Sequence, residues 1–389
     1  MLIEIHIIQN HSPANLNRDD LGAPKTCIFG GVSRARISSQ CLKRSIRRSP
    51  EFAAALEEDG GVRTRRLIDL IAREAAGTNE QRYEQHCKTI RQVFEKGGVS
   101  IKKDENTFDI LFFLPRSAIQ EMGDAVRQGG QDLGNKFAEI MSRFVKTPDI
   151  ALCGRMTEFD AKGPFDKLKG RFTVEAALSA AHAISTHAIV NEVDYFTAAD
   201  DVPGPDAGAA HVNEAMFNSA CFYKHFVIDF DQLKKNLAGD ADLACKTVDC
   251  FLKAATKTNP SGKQHAFAAF NLPDGILVEV KTKSPTPVSY ANAFADPVPE
   301  KPERGLIGES IARLGQYAHD LAAGYGIEAE RFWFSPNLRY RLTWVDKSSK
   351  EHVQEKSVVD GNEFGEFDTF VQKIIEKVGA TETLAEAEK

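Results

Sequence analysis

"LIEIHII", residues 2 to 8, alternates Ile3, Ile5 and Ile7 with Glu4 and His6. A period of two marks a strand, because successive side chains on extended backbone point to opposite faces. The alternation predicts a half-buried strand with isoleucines inward and Glu4 and His6 toward water. The next stretch, "HSPANLNRDDLGAPK" (11–25), is dense in turn-forming Pro, Asn, Asp and Gly and predicts a long loop running to "CIFGG". Gly30 and Gly31 there allow a close approach of backbone to some other group.

Beyond the glycines, Ser38 and Ser39 are good N-caps for a helix running through Arg48, and Pro50 suits its exit. Leu42 and Ile46, four apart, face inward. Gln40, Lys43, Arg44 and Arg47 share another face, and the free N–H groups of the first turn add to its positive potential. Residues 21 to 50 hold seven basic residues (Lys25, Arg34, Arg36, Lys43, Arg44, Arg47, Arg48) and no acid. Such a run is either a solvated face or a site for a polyanion. The mutual repulsion of seven cations favours the second reading, a phosphate-binding face.

Farther along, Leu67, Ile68 and Ile71, then Phe137, Ile140, Met141 and Phe144, recur at helical spacing, so 58–148 reads as a helical insertion. "PDIALCGRM" (148–156) reads as a return to strand, and 173–190 as a small-residue helix packed on a sheet. Residues 191–222 begin and end like strands around a Gly/Pro/Ala/Asp centre, which predicts a protruding hairpin. A helix at 240–257, strands at "HAFAAFN" and "GILVEVKTK", a proline-rich loop at 284–305, a helix pair and a frayed tail at 381–389 complete the chain. The class is α+β: a sheet core in 1–57, 149–190 and 223–389, an insertion at 58–148 and a hairpin at 191–222.

The 389 residues, 42% hydrophobic, suffice for one large core or two smaller ones. The net charge of −6 is unevenly spread. Arg18 to Arg48 carries a net +6 and Glu351 to Lys389 a net −6, so the total does not exclude a nucleic-acid partner. The N-terminus lacks a basic leader, and no apolar run approaches the roughly 18 residues of a membrane span, so a soluble, cytoplasmic protein is expected. Seven cysteines without C-x-x-C spacing are expected as reduced thiols.

Chemistry finds few candidates. His182 and His187, five apart on the expected helix, lie about 140° apart and cannot share a metal from one face. Cys41, near Lys43 and Arg44, is expected to have a lowered pKa but has no recognisable histidine partner. "FGGVSR" lacks both phosphate-loop fingerprints. Asp19 and Asp20 could hold a divalent ion for phosphodiester cleavage, or pair with Arg18 and shape the loop; no third ligand is evident. No catalytic residue, metal or cofactor is therefore expected.

At "HSPANLNRDD", "FGGVSRARISSQCLKRSIR", "DIALCGRM", "AAHAISTHAIV", "DYFTAADD", "AFAAFN" and "ANAF", in that order, the sequence resembles the CasC family. This is the backbone subunit of the type I-E CRISPR surveillance complex Cascade. The resemblance runs from residue 2 to about 330. It implies an RNA-recognition-motif-like (ferredoxin-like) palm, a helical fingers insertion and a β-hairpin thumb. It implies a subunit that is not a nuclease, whose copies stack head to tail along the crRNA beside other Cascade subunits and away from membranes. The guide is thereby presented to target DNA. Lys25, Ser38, Gln40, Lys43 and Arg47 match palm positions that hold the RNA backbone, with Arg44 on the same helix face. Met156 matches a position beside the bases, and Phe196 and Thr197 match the thumb positions at a flipped nucleotide. Tyr195 stands where a related sequence carries Trp, and Cys153 replaces a serine of the motif. Two alternatives stay open: a metal-dependent RNA-cleaving backbone subunit as in type III complexes, with Asp19 or Asp20 as the acid, and a general single-strand RNA chaperone.

Overall fold

In a computed structural model, the first strand is longer and more deeply buried than its alternation suggests. The structure describes residues 1–55, 61–102, 105–130, 132–143, 147–170, 172–197, 212–283, 285–300, 303–346 and 354–387. In chain order the strands are β1 (Leu2–Ala14), β2 (Thr26–Phe29), β3 (Val32–Ile37), β4 (Gly61–Thr64), β5 (Phe112–Pro115), β6 (Leu178–Ala180) and β7 (Ala183–Ser185). They continue with β8 (Glu192–Thr197), β9 (Val212–Asp229), β10 (Gly275–Lys281), β11 (Glu330–Phe334), β12 (Thr343–Asp346), β13 (Gln354–Ser357) and β14 (Glu363–Phe364). The chain forms two compact units. One comprises Met1–Ser49, Ser179–Val227 and Phe251–Lys389; the other comprises Pro50–Leu178 and Ile228–Cys250.

The large sheet runs β14-β11-β10-β1-β9-β7-β3-β2, with β6 and β8 also on β9. Its pairings β1–β10, β10–β11, β2–β3, β3–β7, β7–β9 and β8–β9 are antiparallel, while the short β14 is parallel to β11. The fold is thus mixed α+β around a mostly antiparallel sheet. Ile3, Ile5 and Ile7 are buried as expected, but Glu4 and His6 are also fully buried. The reason is position: β1 lies in the middle of the sheet, and its polar face is covered by other side chains rather than by water. Glu4 pairs with Lys281 at 2.9 Å, Arg331 with Glu279 at 2.6 Å, and His6 lies 3.6 Å from both carboxylates. Buried charges persist when paired in this way. The helix Gly305–Tyr325 contributes Ile311, Leu314 and Ala318 to an apolar cluster with Ile8, Tyr223 and Trp333.

The second unit is built on the helices Leu67–Ala76, Glu80–Lys96, Arg116–Gln128 and Leu133–Arg143, whose apolar stripes meet in one core. Phe94 lies at its centre, with edge-on or tilted rings of Phe108, Phe112, Phe137 and Phe165 around it. The insertion is not purely helical, because β4 and β5 pair within it.

Several local expectations are corrected. Pro148–Cys153 is a short helix, with Pro at its first turn and Gly154 at φ +74 closing it, not a strand. A brief apolar run carries no period that separates the two. Residues 178–185 form β6 and β7 rather than a helix, and Ala183 and Ser185 point inward. "HAFAAFN" holds one helical turn, Gln264–Phe267, bracketed by Lys263 and Ala268 in left-handed conformation. The C-terminal helix Phe367–Ala387 runs into the segment expected to fray, of which 388 and 389 lie outside the described residues.

Candidate nucleic-acid interface

The basic helix forms as its sequence dictates. Call it α1, Ser39–Arg47: Ser38 is its N-cap and accepts from the Cys41 N–H at 3.3 Å, while Leu42 and Ile46 are buried. The Ser38 N–H in turn donates to Asn17 Oδ1 at 2.9 Å, which ties the helix start to the loop after β1. Gln40 and Arg44 are exposed, Lys43 and Arg47 half-buried, and the first turn carries no acid. Lys43 and Arg44 have no carboxylate partner among the described residues. Lys25, half-buried, is held through its backbone by Asn17 and Arg36.

The loop is stiffened from inside. Asp19 Oδ1 accepts from the N–H groups of Leu21 and Ala23, both at 2.9 Å. Asn15 Nδ2 donates to the carbonyls of Gly22 and Met216, both at 2.9 Å, and so fastens the loop to β9 at the base of the hairpin. Between loop and helix lies an open cleft of about 540 Å³ bordered by Asn17, Arg18, Asp20, Cys41 and Arg44. Its walls carry both signs of charge, Arg18 and Arg44 with Asp19 and Asp20, and it has room for a sugar and phosphate beside the exposed Arg44.

Not every basic residue of the run belongs to that face. Arg34 is fully buried and donates to four carbonyls: Phe29 at 3.1 Å, Ser185 at 3.1 Å, Phe294 at 2.7 Å and Ala295 at 3.2 Å. It is a structural clamp. Gly30 and Gly31 turn the β2–β3 hairpin at φ +60 and +78, and a Cβ on Gly30 would overlap the Ala295 carbonyl. That is the close backbone approach the glycine pair implies. Arg36, two residues on, emerges from the sheet instead and meets His182.

On the hairpin, β8 is exposed along its whole length. Tyr195 is 69% and Phe196 49% exposed, and Tyr195, Phe196 and Thr197 pair with Glu214, Asn213 and Val212. The tip at 198–211 lies outside the described residues. Met156 belongs to the other unit and is 87% exposed. Its neighbour Arg155 is buried, donating to Phe172 O at 2.7 Å and lying over the Phe172 ring, so the "GRM" backbone is anchored where Met156 projects. Cys153 is partly buried beside it.

Two chemical expectations change. All seven cysteines are unbridged, but burial pushes the Cys41 thiol up despite Arg44 and Lys25, so it is not activated. His182 and His187 do not share a face, for a different reason from helical spacing: they flank β7, His182 bonded to Arg36 and His187 held between the Cys221 N–H and the Ala188 carbonyl. The ligand-type atoms of Glu4, His6 and His225 do gather within 4.8 Å. They fit a metal poorly, because Lys281 and the Val288 N–H already occupy Glu4. Lys281 and Arg331 also balance the two buried carboxylates, so a divalent ion would add uncompensated charge. Glu279 and Lys281 in "GILVEVK" were the available signal that β1's polar residues meet partners inside the sheet. No helix among the described residues is long and apolar enough to cross a membrane.

The sequence matches the family model described as CT1975-like protein over residues 3–358. No curated protein matches it. Among solved structures, a chain of a "CRISPR RNA-guided surveillance complex, pre-nicking" is 28% identical at a TM-score of 0.80, covering 97% of this chain and 100% of its own. A chain of another "CRISPR RNA-guided surveillance complex" is 25% identical at a TM-score of 0.68, with the same coverage.

Proposed function

The chain belongs to the CT1975-like family, and on that premise we propose that it is a guide-RNA-binding backbone subunit of a type I-E Cascade complex. Copies stack head to tail along the crRNA spacer, beside the other Cascade subunits, and present it for pairing with target DNA. In this reading the sheet is an RNA-recognition-motif-like palm, the helical unit the fingers and the β8–β9 hairpin the thumb. The observation that carries the proposal is the α1 face: Gln40, Lys43 and Arg44 on a helix with a capped, acid-free first turn, Arg44 bordering an open cleft, and neither Lys43 nor Arg44 in an ion pair among the described residues. Lys25, Ser38 and Arg47 complete the backbone-binding set, and Met156, Tyr195, Phe196 and Thr197 offer exposed apolar, aromatic and hydroxyl surface for bases.

Cations neutralise phosphates whatever the sequence, and exposed apolar groups stack on any base, so a subunit of this kind accepts arbitrary guides. Specificity then resides in base pairing. The subunit is non-catalytic. Supporting this, Asp19 spends Oδ1 on the amides of its own loop rather than offering it to a metal. The test is RNA binding by the Lys43→Ala/Arg44→Ala double variant. Its affinity should fall for all sequences, and the slope of log affinity against log salt should flatten by up to about 1.4, at ~0.7 per phosphate contact on a single strand. An unchanged slope removes this face from the site.

A further inference from the structure

At the edge of the basic face the sheet register brings three side chains to one corner. Thr26 pairs with Ala35 and Arg36 with Ile184, so Lys25, Arg36 and His182 stand side by side at the ends of β2, β3 and β7, just ahead of α1. Arg36 donates through Nε to the Thr26 carbonyl at 3.2 Å and through Nη1 to His182 Nδ1 at 3.0 Å. A guanidinium has no acceptor, so the Nδ1 atom it meets must offer a lone pair. His182 is therefore neutral in the free chain, with its proton on Nε2, although its ring is exposed to water. Partial burial holds its pKa below the usual imidazole value, helped by the two cations that face it, Arg36 on β3 and Lys25 on the loop before β2. The Cys27 thiol on β2, also near Arg36, is pushed up by burial and adds no negative charge at neutral pH.

Resting on the RNA-binding reading above, we propose that Lys25, Arg36 and His182 form a phosphate subsite whose filling is coupled to uptake of one proton by His182. A phosphate entering this corner reverses its field. The Arg36 guanidinium turns from Nδ1 to a phosphate oxygen, the vacated Nδ1 takes a proton from solvent, and the imidazolium becomes a second donor to the same phosphate. The one bond formed is Nδ1–H, its proton released by hydronium or a buffer acid in the solvent, and that proton is the only difference in composition besides the bound RNA. Arg36 and His182 would thus add two donors to a set that the helix face alone does not supply.

The experiment measures binding of the full chain to a single-stranded oligouridylate, whose uracils carry no basic ring nitrogen, from pH 5.5 to 8 at fixed ionic strength. Wild-type affinity should rise as pH falls, by up to about tenfold per pH unit at the steepest point. His182→Asn should bind with a flattened pH profile, whereas Lys43→Ala/Arg44→Ala should bind more weakly at every pH with the wild-type profile. Imidazole NMR of His182 should follow the same change directly, a neutral ring in the free chain becoming protonated in the complex at neutral to mildly acidic pH. A profile that His182→Asn leaves intact, or a ring that stays neutral on RNA, overturns the proton coupling while leaving the RNA-binding reading standing. RNA that fails to bind at any pH overturns both.

Discussion

Replacing Arg34 by methionine should destabilise the protein without removing an RNA contact. Methionine fills much of the volume of the arginine stem, so the lost packing is small, but four carbonyls lose a charged donor. Each buried acceptor left unpaired costs about 1–3 kcal/mol, and partial relaxation or water entry recovers some of it. With four acceptors affected and part of the cost recovered, the net loss comes to about 3–5 kcal/mol. For a body of a few hundred residues, 1 kcal/mol moves the melting temperature by about 2–4 °C, which gives a drop of roughly 6–20 °C. The assay is thermal unfolding of Arg34→Met beside Lys43→Ala/Arg44→Ala, with RNA affinity measured well below both transitions. The expected pattern is crossed: Arg34→Met melts early and binds RNA nearly as wild type, while the double variant melts normally and binds weakly. Normal melting of Arg34→Met with an RNA defect would place its guanidinium on the ligand face and refute the argument.

Phe196→Ala should leave the melting temperature nearly unchanged, because the ring is half-exposed; a base-stacking role would instead cost about 1–3 kcal/mol per base in assembly on RNA. A large drop in melting temperature with normal assembly would make Phe196 a core residue. For the buried network, burial opposes the charged ring of His6, but hydrogen bonds to Glu279 and Glu4 outweigh it and raise its pKa. Its contribution is thus fully present below about pH 6.5 and lost as pH rises through the raised value. His225, lowered by burial, and Glu4, held at about 2 against burial by His225, His6 and Lys281, act oppositely and lose stability as pH falls. The stability difference between wild type and His6→Asn should therefore shrink from pH 6 to pH 9; a constant difference would mean that His6 is not charged in the fold.

What could be read in advance was what neighbours in sequence decide. The Ser38 cap, the inward Leu42 and Ile46, the Gly30–Gly31 turn and the two strands of the thumb hairpin all depend on residues within a few positions, and each is present. The errors arose where a distant partner decides. Glu4 and His6 looked like a water-facing row, but their partners Lys281 and Glu279 are more than 270 positions away. Arg34 and Arg36 are both basic, lie two apart on one strand and so share a face, yet one is fully buried and the other reaches His182. The Phe294 and Ala295 carbonyls accept from Arg34, whereas Arg36 donates to the Thr26 carbonyl and to His182. A sequence reports the sign of a charge but not which carbonyls will surround it. Arg34 therefore leaves the ligand-facing count, and the case for a polyanion rests on the remaining six basic residues of an acid-free stretch, Lys43 and Arg44 among them in no ion pair among the described residues. Arg36 changes its meaning too: its hydrogen bond keeps His182 uncharged, so the free chain presents one cation fewer than it can muster once a phosphate arrives.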